Sequence, residues 1–194
     1  NQNGCLQQYE SDLYHIPAYQ RGYKWASTKN GAVTILLNDL WNAFLGVEDQ
    51  EKKEYYLQYI TVKKVNVENQ KCLEVIDGQQ RLTTLSILLA VLSIKLEQEN
   101  ISKNKLDYAI RDNFFNDYVY QPKALNDLLN STWDDISQNK ELNKQDLFYM
   151  YAALQKCDSF FKSKTQLGTF YNYLISNVKI IVNSVEKHIE SEKV

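Results

Sequence analysis

The stretch Glu74-Val75-Ile76-Asp77-Gly78-Gln79-Gln80-Arg81-Leu82-Thr83-Thr84-Leu85 leaves this chain few ways to fold. An apolar, β-branched run ends at an acid and a glycine, crosses two amides and an arginine, and continues as leucines at helical spacing. A strand must therefore pass directly into a helix. The first N–H groups of that helix lack intrahelical acceptors and sit at the positive end of its dipole, which suits an anion, phosphate above all. Gly78 permits close backbone approach, Asp77 can hold Mg²⁺ or activate water, and Arg81 can grip phosphate oxygens with two parallel donors. Gln79 and Gln80 each offer a donor and an acceptor in one plane, suited to a base edge, a ribose or an attacking water. Thr83 and Thr84 add hydroxyls to the first turn. A structural alternative makes Asp77 an N-cap and Gln80 the far half of a capping box; it leaves the run Gly-Gln-Gln-Arg unexplained.

Arginine usage sharpens this reading. Among 22 basic residues only Arg21, Arg81 and Arg111 are arginines, so lysine serves as the general surface cation and an arginine signals a need for the planar guanidinium. Arg21 lies in Ile16-Pro17-Ala18-Tyr19-Gln20-Arg21-Gly22-Tyr23-Lys24-Trp25, a loop of aromatics and cations with Gly22 giving freedom at its centre. Such a loop can stack a base and hold phosphate, or its aromatics can cover the core beneath it; spacing alone leaves both open.

The rest of the chain reads as α+β. Tyr9 to Ile16 predicts a first strand after a polar, frayed start, and the apolar spacing from Val33 to Leu45 predicts a helix stopped by Gly46. Tyr55 to Val62 and Lys71 to Ile76 form a hairpin turning at Asn66 to Gln70, which puts Asp77 at the end of a central strand. A buried helix follows from Leu82 to Leu96. Helices are then expected at Leu106 to Phe115, Pro122 to Leu129, Lys144 to Phe161 and Leu167 to Ile175. A strand over 178–185 returns to the sheet. This places a mixed-sheet domain at residues 1–100 and a mainly helical region packed on it at 101–194.

Composition narrows the function classes. With 24 acidic residues against 22 basic ones the net charge is −2, so any nucleic-acid contact must be a local patch. Cys5, Cys72 and Cys157 are widely spaced and, with only His15 and His188, give no zinc pattern; they read as reduced, buried thiols of a cytoplasmic protein. His15 reads as a packed or hydrogen-bonded residue. No apolar run reaches membrane-spanning length. The missing initiator methionine and the ending Glu190-Ser191-Glu192-Lys193-Val194 suggest a piece of a longer protein.

Three stretches, taken in order, carry a resemblance. They are Ile16-Pro17 with Tyr19-Gln20-Arg21, Tyr23 and Trp25; Leu36-Leu37-Asn38-Asp39-Leu40; and Val75 to Leu85. Over roughly residues 6 to 96 the chain resembles the N-terminal domain of GmrSD-type modification-dependent restriction endonucleases. That resemblance implies a ParB/sulfiredoxin-like core and a nucleoside triphosphate, with Mg²⁺, bound and hydrolysed to control cleavage of modified foreign DNA in phage defence. It further implies a nuclease domain, on the same chain or a separate one, as partner. It places Asp77, Gln79, Gln80 and Arg81 in the catalytic turn, with Gly78, Thr83, Thr84, Tyr19, Gln20 and Arg21 as nucleotide contacts, Asp77 as metal ligand, and Asp39 and Trp25 in support. Two departures stand out. Relatives usually carry a Gly-Ser pair where this chain has Gln58-Tyr59, and the His-Asn-His nuclease segment of many full-length relatives is absent. Two alternatives follow: a DNA- or nucleotide-binding sensor without turnover, and direct ParB-like DNA nicking.

Overall fold

The computed structural model describes residues 3–5, 13–46, 54–67, 70–111 and 113–185. They form an α+β fold built on a six-stranded mixed sheet of order β1-β6-β3-β4-β2-β5. The strands are β1 (Asn3–Cys5), β2 (Tyr14–Ile16), β3 (Tyr55–Val67), β4 (Gln70–Asp77), β5 (Leu106–Tyr108) and β6 (Val178–Val185). The helices are α1 (Ala32–Leu45), α2 (Gln79–Lys95), α3 (Pro122–Asn130), α4 (Trp133–Ile136), α5 (Gln145–Lys162) and α6 (Leu167–Asn177).

The β3–β4 hairpin is antiparallel, as the expected turn between its two strands requires, and β4 ends on Asp77. Strand β2 runs parallel to β4 on one side and to β5 on the other. At the opposite side β6 pairs with β3 in parallel and with β1 antiparallel. Alternate residues such as Tyr14, Ile16, Val62, Val75, Leu106 and Tyr108 are buried under the helices, as expected of a sheet with one covered face. Helix α2 is the central element. It is buried without a break from Leu82 to Ser93 and packs on α5 and α3, so its leucine spacing marks only part of its contact surface.

Several expectations change. The first strand begins at Tyr14, and Tyr9 to Asp12 lie outside the described residues, as do Glu48 to Lys53, Glu68, Asn69, His188 and Glu190 to Val194. Asn3–Cys5, expected to fray, forms β1 against β6, because strand pairing satisfies backbone groups whatever the side chains. Leu106 to Phe115 is not one helix. It opens as β5, continues as a 3₁₀ turn (Ala109–Arg111) and leads into a π-helical turn (Phe115–Val119); the parallel pairing with β2 overrides local helical spacing. Cys72 and Cys157 are free, buried thiols, and burial pushes Cys157 up to about 12. No helix of the described residues is long and apolar enough to cross a membrane.

Candidate functional site

The strand-to-helix turn is shaped by a single glycine. Gly78 is the N-cap of α2 and adopts φ 95°, ψ 7°, a left-handed conformation that glycine tolerates without a Cβ penalty. A Cβ there would also lie 2.5 Å from Ile60 Cγ2. No side chain caps the helix, so the capping box does not form: Asp77 remains exposed at the strand end and Gln80 turns elsewhere.

Gln80 is buried and spans the aromatic loop. Its Oε1 accepts from the Lys24 backbone N–H at 2.8 Å, and its Nε2 donates to the Gly22 carbonyl at 3.2 Å. Gln20 pins the same loop to β4 by donating to the Ile76 carbonyl at 2.8 Å, and Tyr23 is buried with its hydroxyl 2.8 Å from Thr84 Oγ1. The glycine at position 22 is needed for space. An added Cβ would lie 2.8 Å from Asp146 Cβ, and among the described glycines only Gly78 has positive φ. Replacing Gln80 by alanine strands the Lys24 N–H and is expected to cost about 1–3 kcal/mol, measurable as a lower urea midpoint with an unchanged slope.

Arg81 reaches back to strand β3. Strand β3 advances three residues, Leu57 to Ile60, while β6 advances two, Ile180 to Val182, so Gln58-Tyr59 forms a bulge whose carbonyls lose regular pairing. Arg81 Nη1 reaches the Tyr59 carbonyl at 3.0 Å and the Gln58 carbonyl at 3.5 Å, while Nη2 donates to Gln58 Oε1 at 2.5 Å. Burial pulls the Arg81 guanidinium below its ordinary value, and the nearby Asp77 charge opposes that shift.

These groups enclose a cavity of about 390 Å³ lined by Gln20, Arg21, Trp25, Gln58, Tyr59 and the turn Asp77 to Arg81. The two expected stretches thus meet in one cleft. Its donors are Arg21, Arg81 and the α2 N-terminus, its one carboxylate is Asp77, and Trp25 and Tyr59 supply aromatic faces. Other expected residues lie apart. Thr83 and Thr84 are fully buried and do not line the cleft, because the residues of α2 beyond Arg81 turn into the core. Tyr19 is 67% exposed and donates to Glu74 at 3.0 Å, holding the loop from outside. Asp39 is exposed on α1, outside the lining, and acts electrostatically on Tyr55. His15 Nδ1 pairs with Asp107 Oδ2 at 2.5 Å across β2 and β5. Gln58 and Tyr59, singled out in the sequence only as a departure from the family pattern, both line the cleft at the β3 bulge. Among the described residues no group of three or more His, Cys, Asp or Glu side chains is arranged to hold a metal ion.

A mixed-sheet α+β protein with a cationic cleft at the strand-to-helix turn is the class these features define. The chain belongs to the family of GmrSD restriction endonuclease N-terminal domains, whose match spans residues 3–194. That match extends beyond residue 96, where the resemblance carried by the three motifs stops, and takes in the helical half. Membership supports a role in restriction of foreign DNA. No curated protein matches the chain.

Proposed function

We propose that the cleft binds a nucleoside triphosphate and hydrolyses it to control DNA cleavage by the restriction system. The observation that carries this reading is the meeting of Arg21 and Arg81 with the open N-terminus of α2 in a single cavity. Phosphoryl transfer depends mainly on positioning and charge stabilisation, and these donors supply both. Trp25 and Tyr59 offer stacking faces for a base. Gln79, at the first helical position, orients water. Gln80 holds the loop so that Arg21 faces the turn.

Asp77, the sole carboxylate of the lining, fits Mg²⁺ carried on substrate phosphates, the usual mode for an ion that keeps its waters and takes one or two carboxylates. When bound, the ion neutralises phosphate charge. A ParB/sulfiredoxin-like core, a cytoplasmic setting, modified foreign DNA and a partner nuclease domain belong to the same reading.

A binding module without turnover is the second reading, and Gln58 favours it, since its side chain holds Arg81 Nη2. Phosphate release separates the two. Wild-type protein with Mg²⁺ is expected to release phosphate from at least one nucleoside triphosphate, with the rate falling at least about 100-fold in Asp77→Ala. Binding without release supports the sensor, and equal release from both proteins excludes catalysis by this cleft.

A further inference from the structure

The loop and the turn are joined from below by residues of the second half of the chain. Tyr108, at the end of β5, is 1% exposed, and its hydroxyl donates towards the Arg21 carbonyl at 3.3 Å and Gln79 Oε1 at 3.4 Å. One buried proton is thus shared between the loop and the turn. Asp146, in the first turn of α5, packs directly on Gly22 and is 5% exposed. Its Oδ1 accepts from Arg111 Nη2 at 2.7 Å, and Arg111 Nη1 donates to the Ile110 carbonyl. Asp146 Oδ2 and Arg111 Nε are buried without hydrogen-bond partners. An incompletely satisfied buried ion pair is a poor source of stability compared with apolar packing. What it does provide is a fixed spacing between α5, the 3₁₀ turn after β5 and the backbone of Gly22.

We propose that Tyr108, backed by the Asp146–Arg111 pair, is a positioning residue of the cleft, through which β5 and α5 set the spacing between the Arg21 loop and the Gln79 turn. Burial drives the Tyr108 hydroxyl well above its ordinary value, with the Asp146 charge adding to the effect, so it remains a donor throughout the working pH range. Helix α5 therefore acts on the cleft without lining it. The effect on ligand affinity rests on the anion-binding reading above; the effect on the loop does not.

Amide hydrogen exchange of residues 20–25, read beside isothermal titration with inorganic tripolyphosphate and Mg²⁺, tests this. Tyr108→Phe keeps the buried ring and removes only the hydroxyl. Tyr151→Phe is the control, since it removes a hydroxyl bonded to the Ser131 carbonyl at 2.8 Å, away from the cleft. Tyr108→Phe is expected to speed loop exchange and to weaken tripolyphosphate binding, each by about 5- to 10-fold, the worth of one net hydrogen bond, while the control changes neither. Asp146→Asn, which keeps an acceptor for Arg111, shifts both in the same direction. Loop exchange unchanged in both Tyr108→Phe and Asp146→Asn overturns the positioning role. Faster exchange with unchanged affinity supports that role and removes the loop from the anion site. Wild-type protein that does not bind tripolyphosphate overturns the anion reading, while exchange still decides the positioning claim.

Discussion

Gly78→Ala is expected to destabilise the protein by about 2–5 kcal/mol, from about 1–2 for a left-handed alanine and about 1–3 for overpacking. Both penalties act at one atom. The backbone sits at φ 95°, and the new Cβ falls 2.5 Å from Cγ2 of the fully buried Ile60. Relaxing the contact means displacing β3 beside the Gln58-Tyr59 bulge or shifting the start of α2, and either deforms the cleft. Against a total stability of about 5–15 kcal/mol, such a loss leaves a marginal fold. The natural comparison is Gly168→Ala in α6, where an added Cβ meets nothing within 4 Å; that change is expected to be neutral or to stabilise by up to about 1 kcal/mol. Urea unfolding of the two variants measures the contrast. A Gly78→Ala protein within about 1 kcal/mol of wild type would mean that neither the left-handed backbone nor the Ile60 contact constrains this turn.

The second large effect falls on Arg81. Its guanidinium is divided, with Nη1 on the bulge carbonyls and Nη2 on the Gln58 side chain. Only the Nη2 contact is with another side chain, so that edge is the one a ligand oxygen can claim by displacing Gln58 Oε1. Arg81→Ala is expected to weaken phosphate-ligand binding by about 10- to 150-fold, since a charge-assisted hydrogen bond contributes about 1.5–3 kcal/mol. The fold is expected to survive, because the bulge lies where water can reach its carbonyls. Arg81→Lys keeps the charge but loses the planar fork, so it restores binding only in part. Gln58→Ala works in the opposite direction. With the internal competitor removed, affinity is expected to rise about 2- to 10-fold. Titration of the three variants checks the order, and an affinity unchanged by Arg81→Ala would remove this residue from the ligand.

The parts of this fold legible in the sequence are those specified locally. The hairpin and the turn into α2 announce themselves through β-branched and aromatic content, a glycine and leucine spacing. The placing of two of the three arginines in two short stretches already marks the cleft. What local pattern does not convey is pairing at long range. Leu106–Tyr108 becomes a strand only because β2 lies beside it, and Asn3–Cys5 only because β6 does. The bulge at Gln58-Tyr59 is a mismatch between β3 and β6, two strands far apart in the chain, so the contacts of Arg81 with the bulge carbonyls and the Gln58 side chain could not be read from its neighbours. Thr83 and Thr84 look available on a helical first turn, but α2 is covered on nearly all sides and they face the core. Gln80 and Gly22 were legible as special residues, but not the contacts they make: Gln80 bonds to the loop backbone, and Gly22 makes room for Asp146.

Whether this cleft takes a nucleotide triphosphate group is tested most directly by a thermal-shift screen of ATP, GTP, CTP and UTP with Mg²⁺. A ligand that binds only the folded protein stabilises it by about 2.7 kcal/mol at 100 times its Kd. A rise in melting temperature with at least one nucleotide, lost in Arg81→Ala, is the predicted result; no rise with any of the four at millimolar concentration would contradict nucleotide binding by this cleft.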